Sequence, residues 1–546
     1  MRRILVLGGY GSFGGRICEL LSRERRFEVL VAGRSLQRAT AFCASRPELG
    51  LVPTQADRSG AFFETLAALR PWLVIDAAGP FQGDGYDVAR RCIEAGCNYL
   101  DIADGRAFVE GFGELDAAAR RAGLTLVSGA SSVPALSGAV VDALAAGLDE
   151  IGLVESAITA SNRATVGRSV IEAILSYVGR PVPLRQGGHA VAARGWRGLR
   201  RQTFATDTGP ALKGRLVAIC DVPDLGLLSD RLPGRPLVVF RAGAEFAAQN
   251  VALWLLSWPV QWGWIGSLKP LAGFVQQVGN LTRVVGGDRS AMSVTVTGLH
   301  GGEVVERRWT LIAEAGKGPY TPCLAAPLLA VRLADGALAT GAAPAVGLLP
   351  LTAFEADFDR LGFRTEIREV RKEAPLYRQV MGAEFERLPP AVRRIHQVGG
   401  AALAEGRARV TRGAHPLARL VGWIMRFPPA VDDTPVTVRF FEASRRETWA
   451  RRFGQSGFTS HMTRQGDLLV ERFGLMRFGF RLGHEANGLT MHLRRWWIGP
   501  LAMPLALGPR SVARETEVDG VFHFEVAVAL PFIGHVVGYR GWLRRP

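Results

Sequence analysis

Apolar residues in the first 150 positions alternate between two periods. Short runs such as "RRILVLG", "FEVLVAG", "LVIDAAGPF", "YLDIAD" and "LTLVSGA" are nearly continuous in Val, Ile and Leu, the pattern of strands buried on both faces. Between them lie segments with apolar positions at helical spacing: Ile17, Leu20 and Leu21 first, then "GAFFETLAALR", "YDVARRCIEAG" and "ELDAAARRAG". Strands alternating with amphipathic helices predict an α/β, doubly wound parallel sheet. The pattern then changes twice. Residues 151–355 mix strand-like runs ("GLVESAITAS", and two runs flanking the turn "GLHGGE") with helical ones ("SVIEAILSYVG") and predict a mixed α/β domain. "LAAPLLAVRLADG" reads as a buried helix in a segment, near 323–350, that returns to the first domain. After a linker near 356–372, period-2 alternation with glycine breaks ("PVTVRFF", "LLVERFG", "MRFGFRLG", "GLTMHLRRWWIG") predicts a C-terminal β-rich α+β domain over 372–546, antiparallel and barrel-like.

The junction of the first strand and helix carries the chemistry. "VLGGYGSFGG" fits Gly-x-Gly-x-x-Gly at Gly9, Gly11 and Gly14, with Ser12 and Phe13 inside the motif. A glycine turn between strand and helix brings backbone N–H groups and the positive helix end against a pyrophosphate. Gly9 is expected at the tight turn, Gly11 at the pyrophosphate and Gly14 at the helix–strand contact. The second strand ends in Gly33-Arg34-Ser35, where an NAD site places an acid for the ribose 2′-hydroxyl, and Arg38 follows one turn on. A guanidinium there pairs with a 2′-phosphate, so the reading is NADP over NAD. Ligands of such sheets lie at the carboxyl ends of the strands, which adds Asp57, Ala78, Gly79 and Pro80 to the cofactor residues.

Taken together, "GGYGSFG", "VAGRS", "VIDAAGPFQGDGYDVARRCIEAGCNYLDIADG" and "GASSVPALSGAVVDAL" resemble the saccharopine dehydrogenase-like oxidoreductases over roughly residues 1–355. The resemblance implies an NADP-binding Rossmann domain followed by a substrate domain. It also exposes a departure: Arg106 stands in "YLDIADGR" where the family often has Glu. The C-terminal pieces "LPPAVRRIH", "ETWARRFG", "LVERFG" and "LPFIGHVVGYRGWL" resemble a bacterial domain of unknown function found behind such domains, which implies no activity.

Catalytic residues are not dictated by the sequence, because hydride transfer needs orientation and at most one proton donor. Tyr99, Asp101 and Ser132 (with Ser131) lie at expected strand ends as weak candidates. His189 and His300 read as turn residues, and no metal set is evident. The six cysteines are scattered, with only Cys92 and Cys97 close, as in a reduced intracellular protein. The opening apolar run is too short for a secretory leader, and no run reaches the length of a spanning helix.

Two features bear on the substrate. Trp254, Trp258, Trp262 and Trp264 cluster in "AAQNVALWLLSWPVQWGWIGSLKPLAGFV", which Pro259 should break or kink. A buried core helix, an apolar pocket or membrane-interface element, and a membrane span all fit this stretch, the last opposed by Pro259, Gln261 and Lys269. The formal net charge of +16 falls mostly after residue 370. A solvated basic exterior and attraction to anionic lipid both fit it, while no nucleic-acid motif accompanies it. Arg451, Arg452, Arg472, Arg494 and Arg495 with Trp449, Trp496 and Trp497 either line a pocket for an acidic amphiphile or cover an aromatic core.

The expectation is a cytoplasmic NADP-dependent oxidoreductase acting on a hydrophobic or lipid-linked small molecule, with peripheral contact at the inner membrane face and no nucleic-acid partner. A soluble amino-acid or imine dehydrogenase-reductase is one alternative. The other is a non-catalytic nucleotide-binding scaffold whose C-terminal domain recruits lipid or a partner.

Overall fold

The computed structural model describes residues 1–58, 62–163, 167–443, 445–485 and 487–545. Gly60 and Ala61, in the expected third helical segment, lie outside the described residues. The chain divides into two compact units: Met1–Ala146 with Val154–Val296 and Arg307–Arg368, and Gly147–Leu153 with Thr297–Glu306 and Glu369–Pro546.

The N-terminal alternation folds as expected: β1 (Arg2–Leu7), α1 (Gly14–Leu21), β2 (Phe27–Gly33), α2 (Leu36–Ala44), β3 (Val52–Gln55), α3 (Phe62–Leu69), β4 (Leu73–Asp76), α4 (Asp87–Glu94), β5 (Asn98–Asp101), α5 (Arg106–Gly111), α6 (Asp116–Ala122), β6 (Thr125–Ser128) and α7 (Ser137–Ala145). The inner strands are short and almost wholly buried, because helices cover both faces of a parallel sheet, whereas the edge strand β3 buries no residue.

The next stretch comprises β7 (Glu150–Thr159), α8 (Arg168–Tyr177), β8 (Leu184–Gln186), β9 (His189–Val191), β10 (Arg200–Phe204), β11 (Leu212–Ile219), α9 (Asp224–Arg231), β12 (Leu237–Gly243), α10 (Ala247–Gln261), α11 (Ala272–Thr282), β13 (Ser290–His300), β14 (Glu303–Ala313), α12 (Ala325–Ala334), β15 (Gly341–Pro344), α13 (Glu355–Leu361) and β16 (Arg364–Arg371). Among the described residues the first sheet has the order β15-β6-β5-β4-β1-β2-β3, and the second β10-β11-β12-β7-β13-β14-β16. β15 joins β6 in parallel, Gly341 opposite Thr125 through Pro344 opposite Ser128. The stretch 356–372 is therefore no linker: its alternating residues make α13 and the edge strand β16.

α10 is not a buried core helix. Only Asn250 and Ser257 are buried along it, and Trp264 just beyond it is 75% exposed. Pro259 does not end the helix. Its carbonyl instead accepts the Trp264 amide at 2.9 Å, and the four indoles follow one another in edge-on and tilted contacts with centroids 6.0, 5.6 and 4.8 Å apart. With Leu255, Phe274 and Leu281 they leave the α10–α11 pair with a broad apolar exterior. Among the described residues no helix is long and apolar enough to cross a membrane.

The C-terminal segment opens with α14 (Leu376–Met381) and α15 (Pro390–His396) and continues through β17 (Ala401–Arg412), α16 (Pro416–Ile424), β18 (Val431–Ala443), β19 (Arg446–Phe453), β20 (Ser456–Gln465), β21 (Leu468–Phe473), β22 (Met476–Glu485), β23 (Gly488–Ile498), β24 (Leu501–Met503), β25 (Arg510–Val518), β26 (Val521–Leu530) and β27 (Gly534–Arg544). All its strand pairs are antiparallel, and β22 also pairs with β23. Among the described residues this closes a ten-stranded barrel, with β24 as an extra strand outside the ring. Closure removes the free edges that so much alternating sequence would otherwise expose.

Candidate cofactor cradle and substrate cavity

The glycine loop leaves no room for side chains. A Cβ on Gly14 would sit 2.2 Å from the Gly8 carbonyl oxygen, and one on Gly9 would sit 2.8 Å from the Val6 oxygen. The positive φ (+70°) belongs to Gly8, so the tight turn expected at Gly9 is made one residue earlier. The loop closes on itself through the Gly11 amide to the Gly8 carbonyl at 2.8 Å. Phe13 then leads into α1, whose start carries no side-chain cap and whose Gly15 amide bonds back to the Gly11 carbonyl at 3.0 Å, leaving the positive helix end toward the loop. A loop that packs backbone on backbone and ends in a helix N-terminus fits a dinucleotide pyrophosphate.

At the tip of β2 the Tyr10 ring occupies the space where a side chain on Gly33 would project, 2.5 Å from a Cβ there. The Tyr10 hydroxyl accepts the Ser35 amide at 3.1 Å. The Ser35 hydroxyl in turn caps α2 by accepting the Arg38 amide at 3.3 Å. Arg38 lies over the Tyr10 ring at 4.9 Å, and the Gln55 amide holds the Arg34 carbonyl at 3.3 Å. The result is two exposed guanidinium groups on a braced turn, with exposed Asp57 at the end of the adjacent strand.

At the end of β4 the buried Asp76 carboxylate accepts the Ala78 amide at 2.9 Å and lies 3.6 Å from the Arg58 guanidinium. It thereby sets the Ala78-Gly79-Pro80 turn. Asp101, at the end of β5, does the same on a larger scale. One carboxyl oxygen accepts the Ala103 amide (2.9 Å), the Gly129 amide (2.8 Å) and the Ser128 hydroxyl (3.0 Å), joining the loops after β5 and β6. Burial pushes its pKa up to about 7 although these three donors pull it down. Asp101 is thus a positioning residue inside the protein. Tyr99 is fully buried, stacked on Phe112 at 6.0 Å, and burial drives its hydroxyl well above the usual range. Neither candidate presents a proton to the site. Ser132 does line it, beside Ser131.

The site is a cavity of about 310 Å³ at the carboxyl ends of the first sheet, at the lower end of the roughly 300–1,000 Å³ usual for small-ligand pockets. One wall comes from Phe13, Gly79 to Gln82, Ile102 and Val133. The other comes from Ile158 of β7, Val170 and Ile174 of α8, Phe240 of β12, Met292 of β13 and Leu311 of β14. The lining is mainly apolar, with Gln82, Ser131, Thr159, Ser169, Ser290 and Thr321 among its neutral polar members. Its ionisable groups are three that sequence reasoning missed: Asp104, Tyr177 and Cys220. Asp104 is itself solvent-exposed at the cavity edge; partial desolvation by the surrounding protein raises its carboxyl above the ordinary range, while the Gln82 amide, 2.9 Å away, opposes this. Burial, Cys220 and Asp104 push the Tyr177 hydroxyl well up, and burial pushes the Cys220 thiol up to about 12. Asp104 lay in plain view at a strand end in "DIADG". Tyr177 carried no signal, being one more residue of an amphipathic helix.

Arg106 explains the departure noted in the sequence. Its side chain, 9% exposed, bonds Glu110 at 2.9 Å, the Pro183 carbonyl at 2.8 Å and Asp221 at 3.3 Å. It ties α5 to the loops behind the far wall, since Asp221 sits between the lining residues Cys220 and Val222. Among the described residues no group of three or more His, Cys, Asp or Glu is placed to hold a metal ion.

Residues 4–127 match the saccharopine dehydrogenase NADP-binding domain, and residues 388–543 match a domain of unknown function, DUF4166. Among solved structures the chain is similar to a saccharopine dehydrogenase (L-Glu forming) from Saccharomyces cerevisiae: 12% identity over 68% of this chain and 100% of that one, TM-score 0.48. It is also similar to an amine dehydrogenase from Mycobacterium smegmatis, at 14% identity over 64% and 96% of the two chains, TM-score 0.36. No curated protein sequence matches the chain.

Proposed function

We propose that this chain, built on a saccharopine dehydrogenase-type NADP-binding domain, is an NADP-dependent oxidoreductase whose substrate is hydrophobic or lipid-linked and is met at a membrane surface. The observation that carries this reading is the apolar cavity that begins at Phe13 of the glycine loop and at Gly79-Pro80. Among the described residues no Arg, Lys or His lines this cavity, so an amino-acid carboxylate would lie there without a cationic partner, an arrangement that costs several kcal/mol (about 2–7 per unpaired polar group). The α10–α11 exterior, with exposed Trp262, Trp264 and Phe274, suits an interfacial helix pair.

In this reading Gly9, Gly11, Ser12, Phe13 and Gly14 form the pyrophosphate cradle. Arg34, with Ser35 and Asp57 beside it, takes the adenosine ribose and its 2′-phosphate. Ala78, Gly79 and Pro80 border the nicotinamide end. The bound cofactor supplies a hydride equivalent. The protein's own contribution is to exclude water, to orient an apolar substrate, and to hold a proton on Asp104 at pH values where an ordinary carboxyl has lost it. Tyr177 and Ser132 are within the same cavity to hydrogen-bond the reacting polar group.

The test is NADPH oxidation by the purified full chain, offered detergent-dispersed lipid extract in one arm and a panel of amino acids, keto acids and imines in the other. Turnover confined to the lipid arm is expected. Turnover confined to the polar panel rejects the reading.

A further inference from the structure

The C-terminal barrel has an inside, two unlike ends and a single direction of access. Its strands run alternately up and down. The connections 413–430, 454–455, 474–475, 499–509 and 531–533 therefore share one end, while 466–467, 487 and 519–520 share the other.

The second end is plugged. α14 and α15 pack there, as the Ala391 amide on Glu517 at 2.6 Å and the Arg545 guanidinium on the Arg394 and Gln397 carbonyls at 2.8 Å show. From the plug, His396 meets Glu515 at 2.5 Å and stacks on Tyr377. Higher up the wall Arg451 pairs with Glu471 at 3.2 Å and with Ser460 at 2.7 Å. His396 with Glu515 and Arg451 with Glu471 are thus paired inside the barrel, while the buried Glu447 carboxyl accepts the Trp449 indole N–H at 2.5 Å.

Above them lies a cavity of about 460 Å³ walled by Val438, Met462, Phe480, Met491, Phe524 and Val526, and reached by Ile424 and Met425 of the α16 region. A mainly apolar volume of this size, with Arg451, Glu471 and Glu515 confined to part of its lining, fits a hydrocarbon chain. The open end is what such a cavity would need in order to load from a bilayer. Every connection there longer than a two-residue turn exposes large apolar side chains: Leu417, Leu420, Trp423 (77% exposed) and Ile424 on α16, Leu501, Leu505 and Leu507 after β23, and Phe532 (97%) before β27. Leu475 (73%) adds the β21–β22 turn. Exposed Arg419, Arg426 and Arg510 stand among them, the complement of an anionic headgroup layer.

We propose that this barrel is a lipid-binding site: its rim docks on an anionic bilayer and its cavity takes a hydrocarbon chain of an anionic phospholipid, the headgroup remaining at the rim arginines. Arg451, which lines the cavity, serves the internal charge network, whereas Arg452, Arg472, Arg494 and Arg495 are exposed on the exterior. The site is independent of the cofactor cradle and of whatever the first unit reduces.

The experiment uses the delipidated full chain incubated with vesicles of equimolar phosphatidylglycerol and phosphatidylcholine, or of phosphatidylcholine alone. Protein is re-isolated by gel filtration, and extracted lipid is quantified by mass spectrometry. One phospholipid per chain is expected from the anionic vesicles and much less from the neutral ones. Met491→Trp and Val526→Trp fill the cavity and should each lower loading roughly tenfold or more while leaving vesicle co-sedimentation intact. The pair Leu420→Glu and Trp423→Glu alters only exposed side chains and should sharply reduce lipid loading and co-sedimentation with anionic vesicles, with NADPH-dependent thermal stabilisation retained; unchanged loading in this folded pair overturns the proposal. If a tryptophan variant fails to fold, the rim pair and the wild-type lipid count still decide. No recovered lipid with folded wild-type protein, equal loading from neutral vesicles, or full loading in the folded cavity variants overturns the proposal.

Discussion

Arg34→Ala gives the sharpest test of how the cradle chooses its cofactor. The Arg34 backbone is pinned by Gln55, and its guanidinium stands exposed at the tip of β2 beside Arg38, which is braced on Tyr10. A hydrogen bond to a charged group contributes about 1.5–3 kcal/mol, the lower figure applying to an exposed pair. Loss of Arg34 should therefore weaken NADPH roughly 10-fold, rising toward 100-fold at low salt, where screening is least. NADH lacks the 2′-phosphate and should bind within about twofold of its wild-type affinity. Gly33→Asp, which would install an NAD-type acid, should not improve NADH binding, because its Cβ meets the Tyr10 ring at 2.5 Å and must displace it. The assay is fluorescence titration of both cofactors at two ionic strengths. Equal weakening of NADPH and NADH by Arg34→Ala, or a salt-independent loss, would refute the assignment.

Gly14→Ala forces a methyl against the Gly8 oxygen and should cost about 1–3 kcal/mol, read as a lower melting temperature and lost NADPH stabilisation. Asp104→Asn should lower turnover about 100-fold and flatten the high-pH fall in activity. The wild-type protein should show that fall as pH rises through the raised Asp104 pKa and the carboxyl loses its proton. Asp224 is buried at the start of α9, and burial pushes its pKa up to about 7. The stability this gives is complete below the ordinary carboxyl range and is lost as pH rises through about 7, a swing of about 4 kcal/mol in all, of which roughly 3 falls between pH 5 and pH 8. Denaturant melts at pH 5 and pH 8 should show it in the wild type and not in Asp224→Asn. Arg106→Met strands Asp221 and Glu110 and should destabilise the first unit by about 3 kcal/mol. It should also raise the Asp221 pKa further, since Arg106 is what holds it down against burial, a change measurable by carboxyl NMR titration.

The first sheet was legible because each strand and helix announces itself within ten residues, and the cradle because its glycines are contiguous. What escaped was nonlocal. Asp101 becomes a hub only when Ser128 and Gly129 arrive 27 and 28 residues later, and nothing in "YLDIAD" distinguishes that from a proton donor. Alternation in the last third predicted an antiparallel, barrel-like sheet. The pairing of β22 with β23 and of β17 with β27 that closes it is a matter of topology, and the His396–Glu515 pair joins residues 119 apart. The tryptophan stretch misleads for another reason. Its composition matches a core, and only its placement on the exterior shows otherwise.

The strand β15 fixes the order in which this protein is made. The sheet that holds the cofactor is finished by residues 341–344, with Thr125 bonded to the Ala339 carbonyl and Asp116 to the Ala342 amide. On the ribosome the first 130 residues must wait, with β6 as an open edge, until more than two hundred further residues have emerged. At about 5–20 residues per second that is some tens of seconds. A nascent chain arrested before β15 presents an unfilled parallel edge to its neighbours, so a fragment cut at the end of the first domain is expected to aggregate rather than bind nucleotide.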